Sequence, residues 1–107
     1  MDSERLVEII QSGEKSRLPE LWAQVERFAA QQAARRIMAV PPGTVIDYED
    51  LYQTGYIALA EAVETYNHEK GMSFLGWFKF YLHSAFNDTL GLRTERQRND
   101  PIHYAAR

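Results

Sequence analysis

The segment at residues 74–86, FLGWFKFYLHSAF, carries six aromatic side chains among thirteen residues, with the spacing of a single helix. A helix buries only one stripe of its surface, so this many rings are hard to cover together. At about 3.6 residues per turn, Trp77 lies at the edge of the core-facing stripe and Phe80 points almost opposite. The stripe itself comprises Phe74, Phe78, Tyr81, Leu82 and Ala85.

Two interpretations fit the rings outside this stripe. Phe80 shares its side of the helix with Lys79, His83 and Asn87. Rings beside a cation and hydrogen-bonding groups suit unstacked nucleic-acid bases, since every base has a π-face and a phosphate nearby. Aromatic residues at helical spacing are also common in well-packed cores. The spacing alone leaves both interpretations open.

Hydrophobic spacing predicts two helices in the amino-terminal half. The first runs from about residue 3 to 11, with Ser3 as its N-cap and Gly13 as its stop. The second begins near Pro19, since proline suits a first helical turn, and it ends at the Pro-Pro-Gly sequence of residues 41–43.

Two more helices complete the predicted fold. One is capped by Asp47 and continues to about Tyr66, and the aromatic helix follows Ser73 as its cap. The aromatic helix is predicted to end near Leu90, with Gly91 as a left-handed residue after it. Four helices with short connections and no strand pattern predict an all-α fold, a compact helical bundle.

The carboxy-terminal end differs from the rest in pattern and charge. No apolar periodicity follows residue 91, so we expect residues 1–91 to form one helical domain and residues 92–107 a basic, extended or frayed tail. The net charge is −3, but residues 79–107 hold five Lys or Arg against three Asp or Glu. An acidic body with a basic end fits a protein that docks on a protein partner and meets nucleic acid along one edge; it fits a solvated tail equally well.

Composition and motifs exclude several classes of protein. The chain has no cysteine, its three histidines lack zinc-ligand spacing, and it contains neither a phosphate-binding glycine loop nor a nucleophile elbow. We therefore expect no enzymatic activity, no metal and no cofactor. No signal peptide or membrane-spanning segment is visible, which predicts a cytoplasmic protein without membrane contact.

The predicted third helix has an apolar residue in the middle of its polar side. Ile57 lies there among Gln53, Glu61 and Glu64. A small apolar centre with an acidic rim suits docking against a helix that carries arginines, although a single exposed Ile is also ordinary on protein surfaces. The core stripe of this helix comprises Leu51, Gly55, Ala58, Leu59, Ala62 and Tyr66.

Residues 47–74 match a known family pattern in register and without a gap. A dozen matches over about thirty positions are far more specific than a short motif. They are Asp50, Leu51, Gln53, Gly55, Ile57, Leu59, Ala62, Val63, Glu64, Lys70, Gly71 and Phe74. With these residues the segment resembles region 2 of the sigma-70 family, the bacterial transcription initiation factors. Beyond it, Trp77 takes the position of a family Tyr, and Phe80 and Tyr81 take those of a Trp pair.

The resemblance implies that the third helix binds RNA polymerase core. In the family this segment, region 2.2, contacts the clamp helices of the β′ subunit. Thr54 stands where the family usually has Glu, and Tyr56 where it has Asn, so the contact surface differs here. The candidate polymerase-binding residues are Asp50, Gln53, Thr54, Tyr56 and Ala60, to which the docking face adds Ile57.

The resemblance also implies that the aromatic helix binds promoter DNA. In the family this helix melts the minus-ten element and reads it, and single-stranded bases freed by melting need a ring that replaces their stacking neighbour. His83 stands at the position of a family Arg and carries less charge at neutral pH, while Asp88 repels phosphate. The candidate DNA-binding residues are Trp77, Lys79, Phe80, Tyr81, His83, Ser84, Asn87 and Arg93.

Two functions within this family fit the residues. The aromatic residues favour a domain that binds RNA polymerase core and recognises and melts the minus-ten element, without catalysis. The acidic charge and Asp88 favour a sigma-like regulator that docks on the clamp without reading DNA. An anti-sigma factor is a further partner that the resemblance allows. No minus-thirty-five-reading helix-turn-helix follows in the sequence, which fits a fragment of a longer protein or a short one. An unrelated helical interaction module requires the register match to be chance.

Overall fold

The computed structural model describes the chain apart from residues 42, 44 and 99–107, and for residues 92–98 it describes the backbone alone. The described residues contain no strand, and none of their helices is both long and apolar enough to cross a lipid bilayer. The predicted all-α bundle is therefore confirmed. Its elements are α1 (Ser3–Gln11), a 3-10 turn (Lys15–Arg17), α2 (Leu18–Met38), α3 (Tyr48–Thr65), a second 3-10 turn (His68–Lys70) and α4 (Phe74–Arg98).

Side-chain caps begin α3 and α4 at the predicted positions. At α3 the carboxylate of Asp47 accepts a hydrogen bond from the N–H of Asp50 at 3.1 Å, and the carboxylate of Asp50 accepts one from the N–H of Asp47 at 3.1 Å. This reciprocal capping box satisfies two backbone donors that a helix start leaves open. At α4 the hydroxyl oxygen of Ser73 accepts a hydrogen bond from the N–H of Gly76 at 3.2 Å.

The predicted cap of α1 is wrong by one residue. Asp2 caps this helix, because its carboxylate accepts a hydrogen bond from the N–H of Arg5 at 2.8 Å. Ser3 is already helical, and its hydroxyl donates to Gln24 of α2 at 3.0 Å. A carboxylate at a helix start gains from the helix dipole as well as from the N–H group, which favours Asp2 at this position.

The aromatic helix is longer than the sequence predicts. α4 passes through Gly91 and continues to Arg98, and Gly91 does not adopt a positive φ. A helical glycine costs only about 1 kcal/mol relative to alanine, and the LRTERQR segment after it is rich in good helix formers. The predicted end near Leu90 is therefore wrong, and residues 92–98 are helical where an extended or frayed tail is predicted. Residues 99–107 of that tail lie outside the described residues.

The core lies where α3 packs between α2 and α4. The predicted stripe of α3 is buried throughout. On α4 the stripe is displaced at its far end, because Tyr81 and Ala85 are half-buried whereas Phe86, which the stripe omits, is fully buried. The ridge at i, i+4 spacing is the one that α4 turns towards its neighbours. It consists of Phe74, Phe78, Leu82 and Phe86, each with no exposed surface.

Two side chains of α1 hold the turn between α3 and α4. The amide nitrogen of Gln11 donates to the carbonyl oxygens of Val63 and Tyr66, at 2.8 Å each. The carboxylate of Glu4 accepts a hydrogen bond from the N–H of Phe74, the first residue of α4, at 2.8 Å. These bonds satisfy backbone groups that the helix ends leave open. They tie α1 to the ends of the two helices that carry the predicted functional residues.

Candidate functional site

The exposed side of α3 has the predicted pattern. Ile57 is 62% exposed, and Gln53, Glu61 and Glu64 are exposed on the same side. Among the described residues, neither Glu61 nor Glu64 takes part in an ion pair. This surface, which we call the α3 face, therefore combines an apolar centre with uncompensated negative charge, as a partner carrying arginines requires.

Two of the predicted polymerase contacts are engaged within the domain. Asp50 is half-buried, and its carboxylate is part of the capping box at the start of α3. The hydroxyl of Thr54 donates to the carbonyl oxygen of Asp50 at 2.9 Å and lies 3.4 Å from the hydroxyl of Thr89 on α4. Substitution at either position therefore alters the helix start or the contact between α3 and α4, in addition to any contact with a partner.

Tyr56 belongs to an aromatic cluster between α2 and α3. Its ring meets the ring of Trp22 edge-on, with centroids 5.4 Å apart, and the residue is 37% exposed. Tyr52 makes a second edge contact with Trp22 at 5.7 Å, and its hydroxyl donates to Glu26 at 2.7 Å. The hydrogen bond to Glu26 raises the pKa of Tyr52. Trp22 therefore holds the ring of Tyr56 in place, and the exposed part of that ring is open to a partner.

A groove next to the α3 face was not predicted from the sequence. Ala60, the last candidate polymerase contact, is half-buried and lines this groove of about 540 Å³ between the end of α1 and α3. Its lining includes the buried side chains of Ile10 and Val63 and the exposed side chains of Lys15 and Glu64. The α3 face therefore continues into a concave surface.

Trp77 and Tyr81 are held against the end of α3. The indole N–H of Trp77 donates to the hydroxyl of Thr65 at 3.1 Å, and the same hydroxyl lies 2.7 Å from that of Tyr81. The two rings are 5.6 Å apart, and Trp77 also lies 6.5 Å from the ring of Tyr66. Both residues are half-buried. Core packing therefore accounts for much of their surface, and only the open part of each ring is accessible to a base.

Phe80 is the ring that α4 presents to solvent. It is 65% exposed, and Lys79 beside it is exposed as well. Lys79 forms no ion pair with any described carboxylate. Gly76, Lys79, Phe80 and His83 line a shallow groove, which we call the α4 groove. The predicted orientation of Phe80 is confirmed, and an open ring next to an unpaired cation is the arrangement that suits a base and its phosphate.

His83 connects α4 to α2. Its Nε2 lies 3.0 Å from Oε1 of Gln32, and its Nδ1 lies 3.3 Å from Nη1 of Arg36. A neutral ring protonated at Nε2 satisfies both contacts, because Nε2–H then donates to Gln32 and Nδ1 accepts from Arg36. Burial lowers the pKa of His83, and the positive charges of Arg36 and Lys79 lower it further. His83 is therefore neutral at pH 7 and does not supply the cation of the family arginine.

The remaining candidates lie further along α4. Ser84 and Asn87 are exposed and hydrogen-bonding, as readers of base edges must be. Asp88 is exposed too and places a negative charge on this part of the helix. The side chain of Arg93 lies outside the described part of the chain, so its contact with DNA stays a prediction.

The family model for sigma-70 region 2 matches residues 21–97, which is most of the chain. The chain belongs to this family. Neither a curated protein nor a solved structure matches it significantly. The matched segment begins within α2 and ends within α4, so both the α3 face and the α4 groove lie inside it. The protein is thus a sigma-factor-like RNA polymerase-binding domain, from a class of transcription initiation factors and not of enzymes.

Three residues that shape the surface of this sigma-70 region 2 domain were not predicted as functional. Gln32 and Arg36 hold His83, and Thr65 holds both Trp77 and Tyr81. One signal for Gln32 is present in the sequence. It continues the apolar spacing of α2 after Val25 and Phe28, so a polar side chain stands where the pattern calls for an apolar one. Gln32 is 7% exposed, and its buried amide needs the partner that His83 provides.

Proposed function

We infer that this domain docks on the β′ clamp helices of RNA polymerase core through the α3 face and binds single-stranded bases of the minus-ten element at the α4 groove. The exposure of Phe80 carries this inference. α4 buries the side chains of Phe74, Phe78, Leu82 and Phe86 but leaves the ring of Phe80 open, beside Lys79, which forms no ion pair with a described carboxylate. A base stacked on an exposed aromatic ring contributes about 1–3 kcal/mol to binding.

The α3 face supplies the docking contacts. Ile57 provides the apolar centre, Gln53 provides hydrogen bonds, and Glu61 and Glu64 provide charges for arginines of the clamp. Tyr56 and Ala60 lie next to Ile57 on α3 and extend this docking surface. Asp50 and Thr54 contribute mainly by fixing the start of α3 and its contact with α4.

The α4 groove supplies the DNA contacts. Phe80 stacks with an unpaired base, and Lys79 attracts the phosphate next to it. Ser84 and Asn87 extend the surface with hydrogen-bonding groups. Thr65 of α3 holds Trp77 and Tyr81, and the exposed part of their rings gives a second base a place to pack.

A second function is favoured by the charge of α4. Asp88 is exposed on the side that carries Ser84 and Asn87, and a carboxylate repels DNA phosphates. A domain that has kept the α3 face but lost promoter binding would regulate transcription by occupying the clamp.

One experiment separates the two functions. The chain is incubated with RNA polymerase core, and the complex is titrated against a fluorescent fork-junction DNA with an unpaired minus-ten strand and against the matching duplex. We expect retention of the chain on core and tighter binding of the fork than of the duplex. Binding to core without preference for the fork supports the regulator, and absence of core binding overturns both proposals.

A further inference from the structure

Arg36 brings a positive charge from α2 to His83 of α4. Its Nη1 lies 3.3 Å from Nδ1 of His83, and the residue is half-buried. A guanidinium has five N–H donors, and the contact with His83 uses one of them. No ion pair joins Arg36 to a carboxylate of the described residues. Most of its hydrogen-bonding capacity is therefore available to an anion.

The position of this guanidinium matters because of what His83 replaces. The resemblance to the family places an arginine at residue 83, on α4 itself, whereas this chain has an imidazole that is neutral at pH 7. The charge that α4 lacks lies instead at the end of a side chain from α2, in contact with that imidazole. The positive charges of Arg36 and Lys79 both act on His83, so two cations lie near it.

We propose that Arg36 supplies the phosphate-binding cation of the α4 groove, with Lys79 as the second cation and His83 as the positioning residue that holds Arg36 in place. The ligand is the phosphate of a single-stranded nucleotide whose base stacks on Phe80. This proposal rests on the proposed promoter-binding function and adds a residue of α2 to a surface that the sequence assigned to α4 alone. The planar fork of a guanidinium matches a phosphate better than a point charge does.

The contact itself is tested without DNA. Ring NMR signals of His83 are titrated with pH in the full-length chain and in Arg36→Gln. Removal of the neighbouring cation should move the pKa of His83 upward, towards its ordinary value. Arg35→Gln is the matched control, because it removes the same charge from the preceding residue of α2, which is exposed. A His83 titration that is identical in wild type and Arg36→Gln overturns the proposal.

The role of Arg36 is tested by the salt dependence of binding. The polymerase complex of each variant is titrated with fork-junction DNA at several salt concentrations. Loss of one phosphate contact to a single strand should make the slope of log K for DNA binding against log salt concentration less negative by about 0.7. We expect this loss for Arg36→Gln and His83→Ala, a smaller one for Arg35→Gln, and recovery in the double variant Arg36→Gln/His83→Arg, which returns the guanidinium to α4.

The outcomes distinguish this proposal from the function on which it rests. If the wild-type complex binds the fork but Arg36→Gln and Arg35→Gln have the same slope, Arg36 is only a packing partner of His83 and the proposal is overturned alone. If the wild-type complex does not bind the fork, the promoter-binding function fails as well. Arg36→Met, which keeps the aliphatic stem but not the charge, replaces Arg36→Gln if the latter lowers the melting temperature, with the same expected slope.

Discussion

Side chains of the same chemical type differ in role along α4 because their surroundings differ. Phe78 has no exposed surface, Trp77 is half-buried with its N–H bonded to Thr65, and Phe80 is 65% exposed. Substitution of each ring therefore measures a different quantity. On the proposed function, loss of Phe78 should change stability, loss of Phe80 should change DNA binding, and loss of Trp77 should change both.

Phe80→Ala should weaken binding of single-stranded minus-ten DNA by the polymerase complex by about 1–3 kcal/mol, because the base loses its stacking surface. The free energy of unfolding should change by no more than about 0.5 kcal/mol, since the ring packs on little else. Fluorescence anisotropy gives the first quantity, and chemical denaturation of the free chain gives the second.

Trp77→Ala is the control for this prediction. It removes a half-buried ring and leaves the hydroxyl of Thr65 without its indole donor, so it should cost about 1–3 kcal/mol of stability. If Phe80→Ala loses stability in proportion to DNA binding, its ring is part of the core and the stacking role is wrong.

His83 should make the stability of the domain depend on pH. Its pKa in the folded state is lowered, chiefly by burial, so the folded state prefers the neutral ring. The contribution is fully present above the pKa of the unfolded chain, about 6.5, and is lost as pH falls below that value through the folded pKa. Melting temperatures between about pH 7.5 and 5 should therefore fall more steeply for wild type than for His83→Gln. Parallel curves for the two proteins would contradict the placement of His83 against Arg36.

At the scale of elements, α3 divides its surface between the core and a partner. The stripe containing Leu59 is buried between α2 and α4, and the α3 face around Ile57 is open to solvent. Because the two sides are separate, docking and folding can be changed independently. The exceptions are Asp50 and Thr54, whose side chains serve the helix itself.

Ile57→Ala and Gln53→Ala should each weaken binding to RNA polymerase core by about 1–3 kcal/mol if they lie near the centre of the interface. Neither side chain is buried, and alanine is a strong helix former, so the melting temperature should stay at the wild-type value. Leu59→Ala, by contrast, should lower stability by roughly 2–5 kcal/mol and reduce core binding only through unfolding. Unchanged core binding in folded Ile57→Ala and Gln53→Ala would show that the partner contacts another surface.

α4 offers a test of helix length at Gly91. An alanine Cβ there meets no atom of the described part of the chain within 4 Å, and the backbone is helical. Gly91→Ala should therefore stabilise the end of α4 by about 1 kcal/mol and slow amide hydrogen exchange around this position. The left-handed conformation that the sequence suggested predicts the opposite, because alanine is strained there. Faster amide exchange in the variant would instead support the predicted end of the helix near Leu90.

At the scale of the whole molecule, the net charge is −3, but the positive and negative side chains lie on different surfaces. The α3 face carries Glu61 and Glu64, while Arg35, Arg36 and Lys79 lie on α2 and α4. An acidic total is therefore compatible with a local site for a polyanion, because screened surface charges act mainly over about 10 Å. On the proposed function, the domain meets a basic protein surface through the α3 face and DNA through the α4 groove.

The fold class, the places of the four helices and the exposure of Phe80 and Ile57 followed from the sequence, because they depend on local rules. Helical periodicity decides which side of a helix is apolar, and a cap such as Asp47 or Ser73 acts within one turn. The register match at residues 47–74 identified the family for the same reason, since it is a property of consecutive residues. The predicted end of α4 before Gly91 was wrong because a glycine near a helix end is compatible with two backbone conformations of similar free energy.

The partners of His83, Trp77 and Tyr81 required different information. His83 pairs with Gln32 and Arg36 across 51 and 47 positions of the chain, and these pairings hold the imidazole against α2. A helical wheel gives the direction of a side chain but not the neighbour that it meets, which depends on how far each helix is rotated and at what angle it crosses the next. Only the packing of α2, α3 and α4 against one another decided how far the rings of Trp77 and Tyr81 are covered and where the positive charge of Arg36 lies.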